Sequence, residues 1–98
     1  MNINKGTTAI DTLKSFAAKQ STQSLVEAML LLDRRAGLSQ EERMTAAAIA
    51  DTLTERFPEA DAIVGAAFAD ESDEGMAFTM KYTYGEIVYS ALQEVGAV

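Results

Sequence analysis

Apolar residues recur at helical spacing along most of the chain, and the first such run is Ile10, Leu13, Phe16 and Ala17. It predicts a helix from about Ala9 to Lys19, capped by Thr7 or Thr8. A second helix starts at Ser21 or Ser24, where Ser24 followed three residues later by Glu27 has the form of a capping box. Leu25, Val26, Met29, Leu30, Leu31 and Leu32 then cover nearly its whole circumference. Such a helix lies at the centre of the fold or partly in a subunit interface. It ends in Arg34 and Arg35, which suit the negative end of the helix dipole, and in Gly37 at the usual left-handed stop.

Ser39-Gln40-Glu41-Glu42 is a capping box with an extra acid in the first turn, so a long helix is expected to run on to Phe57. Its apolar face is Ala46, Ile49, Ala50, Leu53 and Phe57. Pro58 lacks the amide that a helix interior requires, yet it fits the first turn of the next helix. Ala60, Ile63, Val64, Ala67 and Phe68 give that helix its stripe. Asp70 to Gly75 packs four acids, a serine and a glycine together and predicts a solvated loop.

The period then changes from helical to two. Met76, Phe78, Met80, Tyr82 and Tyr84 alternate with Ala77, Thr79, Lys81 and Thr83, which predicts an extended or strand-like segment near residues 76–82. One strand cannot stand alone, so it is expected to lie over the helices or to pair with its twin in a homodimer. Thr83 with Glu86 is a third capping box, and Ile87, Val88, Ala91, Leu92 and Val95 mark a last helix ending at Gly96. The expected fold is all-α: a compact bundle of four to five short helices with that one extended segment, in a single domain over residues 1–98.

Composition supports this architecture and removes several chemistries. Of the 98 residues 48% are hydrophobic, and seventeen are alanine, which favours closely spaced helices around a thin core. With no Cys and no His there is no disulfide, thiolate zinc site, cysteine nucleophile or histidine base. The longest small or apolar run, Ala62 to Ala69, is far short of the roughly 18 to 20 residues that cross a bilayer, so no membrane association is expected. Met1 to Gly6 has no apolar stretch behind Lys5 of the kind a secretory leader needs, and the expectation is a cytoplasmic protein.

Two binding motifs can be drawn on the sequence. Asp70, Ser72, Glu74 and Gly75 match positions one, three, five and six of a calcium-binding EF-hand loop, but position twelve is Lys81, a cation where a bidentate glutamate is required. A helix-turn-helix could be drawn across Phe57-Pro58. Its second helix, however, carries Glu59 and Asp61 and no base, so direct nucleic-acid binding is not expected. Neither metal nor cofactor is expected.

Enzyme chemistry has equally little to work with. The adjacent acids Glu41 and Glu42, or Asp73 and Glu74, point in different directions, whereas an acid and a base must converge on one substrate. Tyr82, Tyr84, Tyr89 and Lys81 could donate protons, but their spacing fits packing. No catalytic activity is expected.

The formal charge of −7 is unevenly spread. Residues 1–38 have a net charge of +2 and residues 39–98 of −9, with six acids and no base between Arg56 and Lys81. Such excess acid keeps small proteins dispersed, and it can also dock on a basic patch or imitate the phosphates of a nucleic acid. Beside those acids lie Met and aromatic residues of the kind favoured at adaptable binding surfaces. The candidate partner-binding residues are therefore Asp70, Glu71, Asp73, Glu74, Met76, Phe78, Met80 and Tyr82.

The stretch Leu31-Leu32-Asp33-Arg34-Arg35-Ala36-Gly37-Leu38-Ser39-Gln40-Glu41-Glu42-Arg43-Met44, with Ile49 to Pro58 after it, resembles small uncharacterised proteins of actinobacteria and their phages. The resemblance carries over no catalytic residue. It implies a setting, the bacterial cytoplasm during phage infection, where short phage proteins bind and redirect host proteins. The expected function is thus a small acidic interaction or regulatory protein, phage-encoded and acting on a host protein, with a homodimer as its assembly. The alternative is a DNA-mimicking inhibitor of a nucleic-acid-binding protein.

Overall fold

The computed structural model describes the backbone of residues 5–98 and the side chains of residues 11–98. Among these residues there are six helices and no strand: α1 Lys5–Ala17, α2 Thr22–Asp33, α3 Gln40–Arg56, α4 Pro58–Ala69, α5 Asp73–Lys81 and α6 Tyr84–Glu94. The all-α expectation holds, with one helix more than the four to five anticipated. The fold separates into two compact units, one ending at Leu53 and the other spanning Thr54–Val98.

Hydrogen bonds at the helix ends explain where most elements begin. At α3 the Glu42 amide donates to Ser39 Oγ at 3.1 Å, and the Ser39 amide donates to Glu42 Oε1 at 3.0 Å, which is the reciprocal capping box that the sequence predicts. Thr83 and Glu86 repeat it at α6, at 3.1 and 2.9 Å. Pro58 takes the first position of α4, where a missing amide costs nothing. At the end of α6 the Ala97 amide donates to Leu92 O and the Gly96 amide to Gln93 O, and Gly96 has φ +76. This Schellman arrangement needs a left-handed residue, which glycine supplies without strain.

Two expected caps move. Ser21, not Ser24, caps α2: its Oγ accepts from the Ser24 amide at 3.1 Å, which leaves Ser24 inside the first turn and unable to form a box with Glu27. Thr7 and Thr8 lie inside α1, which already begins at Lys5. The leader reading of Met1 to Gly6 rests partly on residues 1–4, and those, like the side chain of Ile10, lie outside the described residues.

The largest correction is α5. The segment expected to be extended at residues 76–82 is helical to Lys81, and of the expected loop Asp73 to Gly75 lie in the first turn of α5 while Asp70 to Ser72 stay outside the helix. The cause is local. Ser72 Oγ accepts from the Gly75 amide at 3.1 Å, the Ser72 amide donates to Asp70 Oδ1 at 3.0 Å, and Asp73 and Glu74 stand at the positive end of the helix dipole. The alternating pattern is short, and between Met76 and Tyr82 only Thr79 is β-branched. Extended backbone returns only at Tyr82, with ψ 149.

In the first unit the buried side chains are Ala17, Leu25, Val26, Met29, Ala48, Ile49, Ala50 and Leu53. Three of the eight are alanines, in keeping with a thin core. Thr52 is also buried, and its Oγ1 donates to Ala48 O at 2.8 Å, so the hydroxyl is satisfied within its own helix. In the second unit α4 packs against both α5 and α6, and Ala60, Val64, Ile87, Val88, Ala91 and Leu92 are buried.

Candidate interaction surface

α5 is held to its unit along one narrow line. Gly75 is buried and Thr79 half-buried, one turn apart, and no other residue of the helix is protected from solvent. Glycine is required at the close approach: a Cβ at position 75 would overlap the Cβ, Cγ and Oδ2 of Asp70. The remaining α5 side chains project outward in rows one turn apart. Met76 and Met80 share one flank of the contact line, 53% and 82% exposed. Phe78 occupies the other flank, where its ring lies 5.2 Å from that of Tyr82 at 54°.

A second aromatic pair belongs to the same unit. Phe68 at the end of α4 meets Tyr84 at the start of α6, with ring centroids 5.7 Å apart and tilted by 42°. The sequence pattern put Phe68 on the buried stripe of α4, but the ring is 50% exposed because it stands in the last turn, beyond the buried Ala60 and Val64. The signal for it was available: Phe68 is followed by Ala69 and an acidic stretch that cannot cover it. Phe68 and Tyr84 were both missing from the expected partner-binding residues.

All eight of those expected residues are exposed: Asp70, Glu71, Asp73, Glu74, Met76, Phe78, Met80 and Tyr82. The structure gathers them in and around α5. The acids stand at its amino-terminal end and the apolar side chains along its flanks. Asp70 has a second role, since hydrogen bonds from Ser72 hold its carboxyl below the usual range. Lys81 does not cancel the acids; its Nζ sits 5.5 Å from the Tyr82 ring centre at the opposite end of α5.

Charge follows the division of the fold. Residues up to Leu53 hold six acids and six bases, whereas Thr54–Val98 holds nine acids and two bases. The whole formal charge of −7 therefore belongs to the unit that exposes the Met and aromatic side chains.

Other candidate chemistries are less well formed. The residues matching an EF-hand cannot wrap an ion, because Glu74, Gly75 and Lys81 are fixed in α5. Among the described residues no group of three or more Asp or Glu side chains is placed to hold a metal, and no helix is long and apolar enough to cross a membrane. A cleft of about 280 Å³ opens between α1, α2 and α3, lined mainly by Leu13, Phe16, Ala17, Leu25, Ala28 and Ile49. It has an apolar wall but no charged group that would orient a ligand.

No protein-family model matches the chain, and neither the curated proteins nor the solved structures yield a match. The functional reading therefore rests on the surface itself.

Proposed function

We propose that the chain is a small interaction protein that binds a partner protein through the surface of α5. The observation that carries this reading is the coincidence, in one small unit, of six exposed large apolar side chains between Phe68 and Tyr84 with the whole net charge of the chain. A helix tied down only at Gly75 and Thr79 leaves those side chains idle unless something covers them. Buried at an interface, a methionine or aromatic side chain contributes roughly 1.5 to 3 kcal/mol. The neighbouring acids would act chiefly on the rate of encounter. Both carboxyl groups with lowered affinity for protons, Glu42 and Asp70, owe it to helix-cap bonds, which fits a binding protein better than an acid catalyst.

Following the resemblance of residues 31–58, the partner proposed is a bacterial host protein met in the cytoplasm by a phage-encoded regulator. The test is a comparison of two baits in host lysate, the wild type and Met76→Ser/Phe78→Ser/Met80→Ser, with circular dichroism showing that both are folded. A protein retained by the wild type and lost from the triple variant supports the reading. Identical retention by both baits refutes it.

The nine acids of Thr54–Val98 also favour a second reading, an imitation of nucleic-acid phosphates. The two differ in salt dependence. A mimic loses affinity steeply as salt is added, while a complex held by apolar side chains keeps most of it.

A further inference from the structure

We infer that the occupant of the α5 surface is a cationic amphipathic helix of the partner protein. This rests on the partner-binding reading above and specifies its chemistry. The apolar half of the argument is that Met76 and Met80 on one flank, and Phe78 with Tyr82 on the other, are adaptable or aromatic side chains already in water. Unbranched methionines repack around whatever apolar face is offered, and an amphipathic helix offers such a face at one-turn spacing.

The charged half of the argument selects the sign. Asp70, Glu71, Asp73 and Glu74 stand exposed at the head of α5, and the unit has two bases against nine acids. A second copy of this chain presenting the same face would bring like charges together, and an acidic or phosphate-bearing ligand would be repelled as well. A helix with lysine or arginine flanking its apolar stripe meets both requirements at once.

The experiment uses the full chain and a fluorescent synthetic peptide of about 18 residues, made of Leu and Lys at helical spacing. Two control peptides replace every Lys by Glu, or every Leu by Ser. Anisotropy in about 50 mM salt should show micromolar binding of the Leu-Lys peptide and none of the Leu-Glu peptide. The Lys-Ser peptide should bind at least about tenfold more weakly than Leu-Lys, a factor well outside titration error. Met76→Ser/Met80→Ser should weaken the Leu-Lys complex at least about tenfold, while Phe16→Ser, at an exposed apolar residue of the first unit, should leave it unchanged. In about 0.5 M salt, where screening acts within roughly 4 Å, binding should weaken but persist.

Equal binding of the Lys-Ser peptide would mean that charge alone recruits the ligand, which overturns the proposal in favour of phosphate mimicry. Absence of Leu-Lys binding, or its indifference to the methionine variant, overturns it too. If the cationic peptide fails while the triple variant still loses a lysate protein, the partner-binding reading survives and only the cationic helix is wrong.

Discussion

Asp70 and Gly75 share one volume: the Asp70 side chain lies where a Cβ on Gly75 would stand, while its Oδ1 accepts from the Ser72 amide at 3.0 Å. Glycine in a helix ordinarily costs about 0.5 to 1 kcal/mol relative to alanine, so Gly75→Ala would be expected to stabilise α5. Here the new methyl group must push Asp70 aside and break its bond to Ser72. We therefore expect Gly75→Ala to lower stability in urea unfolding. In an Asp70→Gly background the same substitution should raise stability by up to about 1 kcal/mol. An unchanged sign in the two backgrounds would show that the close approach is not what selects glycine.

Glu42 gives the start of α3 a defined pH dependence. Its carboxyl is held below the usual range first by the Ser39 amide, then by the Ser39 hydroxyl and by Arg35, with which it pairs. A depressed carboxylate contributes stability that is fully present above its unfolded pKa of about 4.3 and is lost as pH falls through the lower folded value. Glu42→Gln keeps an oxygen acceptor for the Ser39 amide but cannot titrate. The gap in stability between wild type and Glu42→Gln should thus be largest near neutrality and close as pH drops below about 4. Unfolding curves that stay parallel down to pH 2 would count against this origin of the shift.

Leu53 is completely buried in α3. Leu53→Ala removes its packing and leaves a cavity, so it should cost roughly 2 to 5 kcal/mol. Because domains of this kind are stable by only about 5 to 15 kcal/mol, the variant should unfold at visibly lower urea. A loss below about 1 kcal/mol would place the side chain outside the core.

The contrast between α3 and α5 shows what could be read from the residues alone. Ser39 with Glu42 and Thr83 with Glu86 are signals in which sequence spacing and hydrogen-bond geometry coincide, so α3 and α6 begin where expected. Along α6 the stripe Ile87, Val88, Ala91 and Leu92 is buried as its period implies. At α5 the alternation of Met76, Phe78 and Met80 encodes no strand; these side chains alternate because the helix presents apolar groups on two flanks. Period two over so few residues does not separate those cases, and the deciding contact, Asp70 against Gly75, is a matter of packing. The exposure of the candidate partner-binding residues has a simpler origin, since α5 is held to its unit only along Gly75 and Thr79.

Two features of the sequence favour a homodimer, and the structure treats them differently. With α5 helical there is no strand at residues 76–82 to pair with its twin. The outer face of α2 remains, where Leu31 is 62% exposed. A dimer formed there should appear in light scattering at micromolar concentration, and Leu31→Lys should dissociate it. A 10.5 kDa species persisting to about 100 μM would dismiss the dimer.

Exposure also orders the methionines by reactivity. Met80 and Met76 project into solvent from α5, Met44 is half-buried in α3, and Met29 is 1% exposed in the core. A sulfoxide forms readily only where oxidant reaches the sulfur, and it converts an apolar side chain into a polar one. Dilute peroxide under native conditions should therefore oxidise Met80 first and Met76 next, with Met29 spared until the protein unfolds, as peptide mass spectrometry would show. The first two oxidations should change stability by no more than about 0.5 kcal/mol, because side chains already in water lose little by becoming polar. They should nevertheless reduce binding of the Leu-Lys peptide as Met76→Ser/Met80→Ser does, and methionine sulfoxide reductase should restore it. Oxidation of Met29 at the same rate as Met80 would contradict the burial pattern, and full binding after oxidation of Met76 and Met80 would remove the methionine flank from the interface.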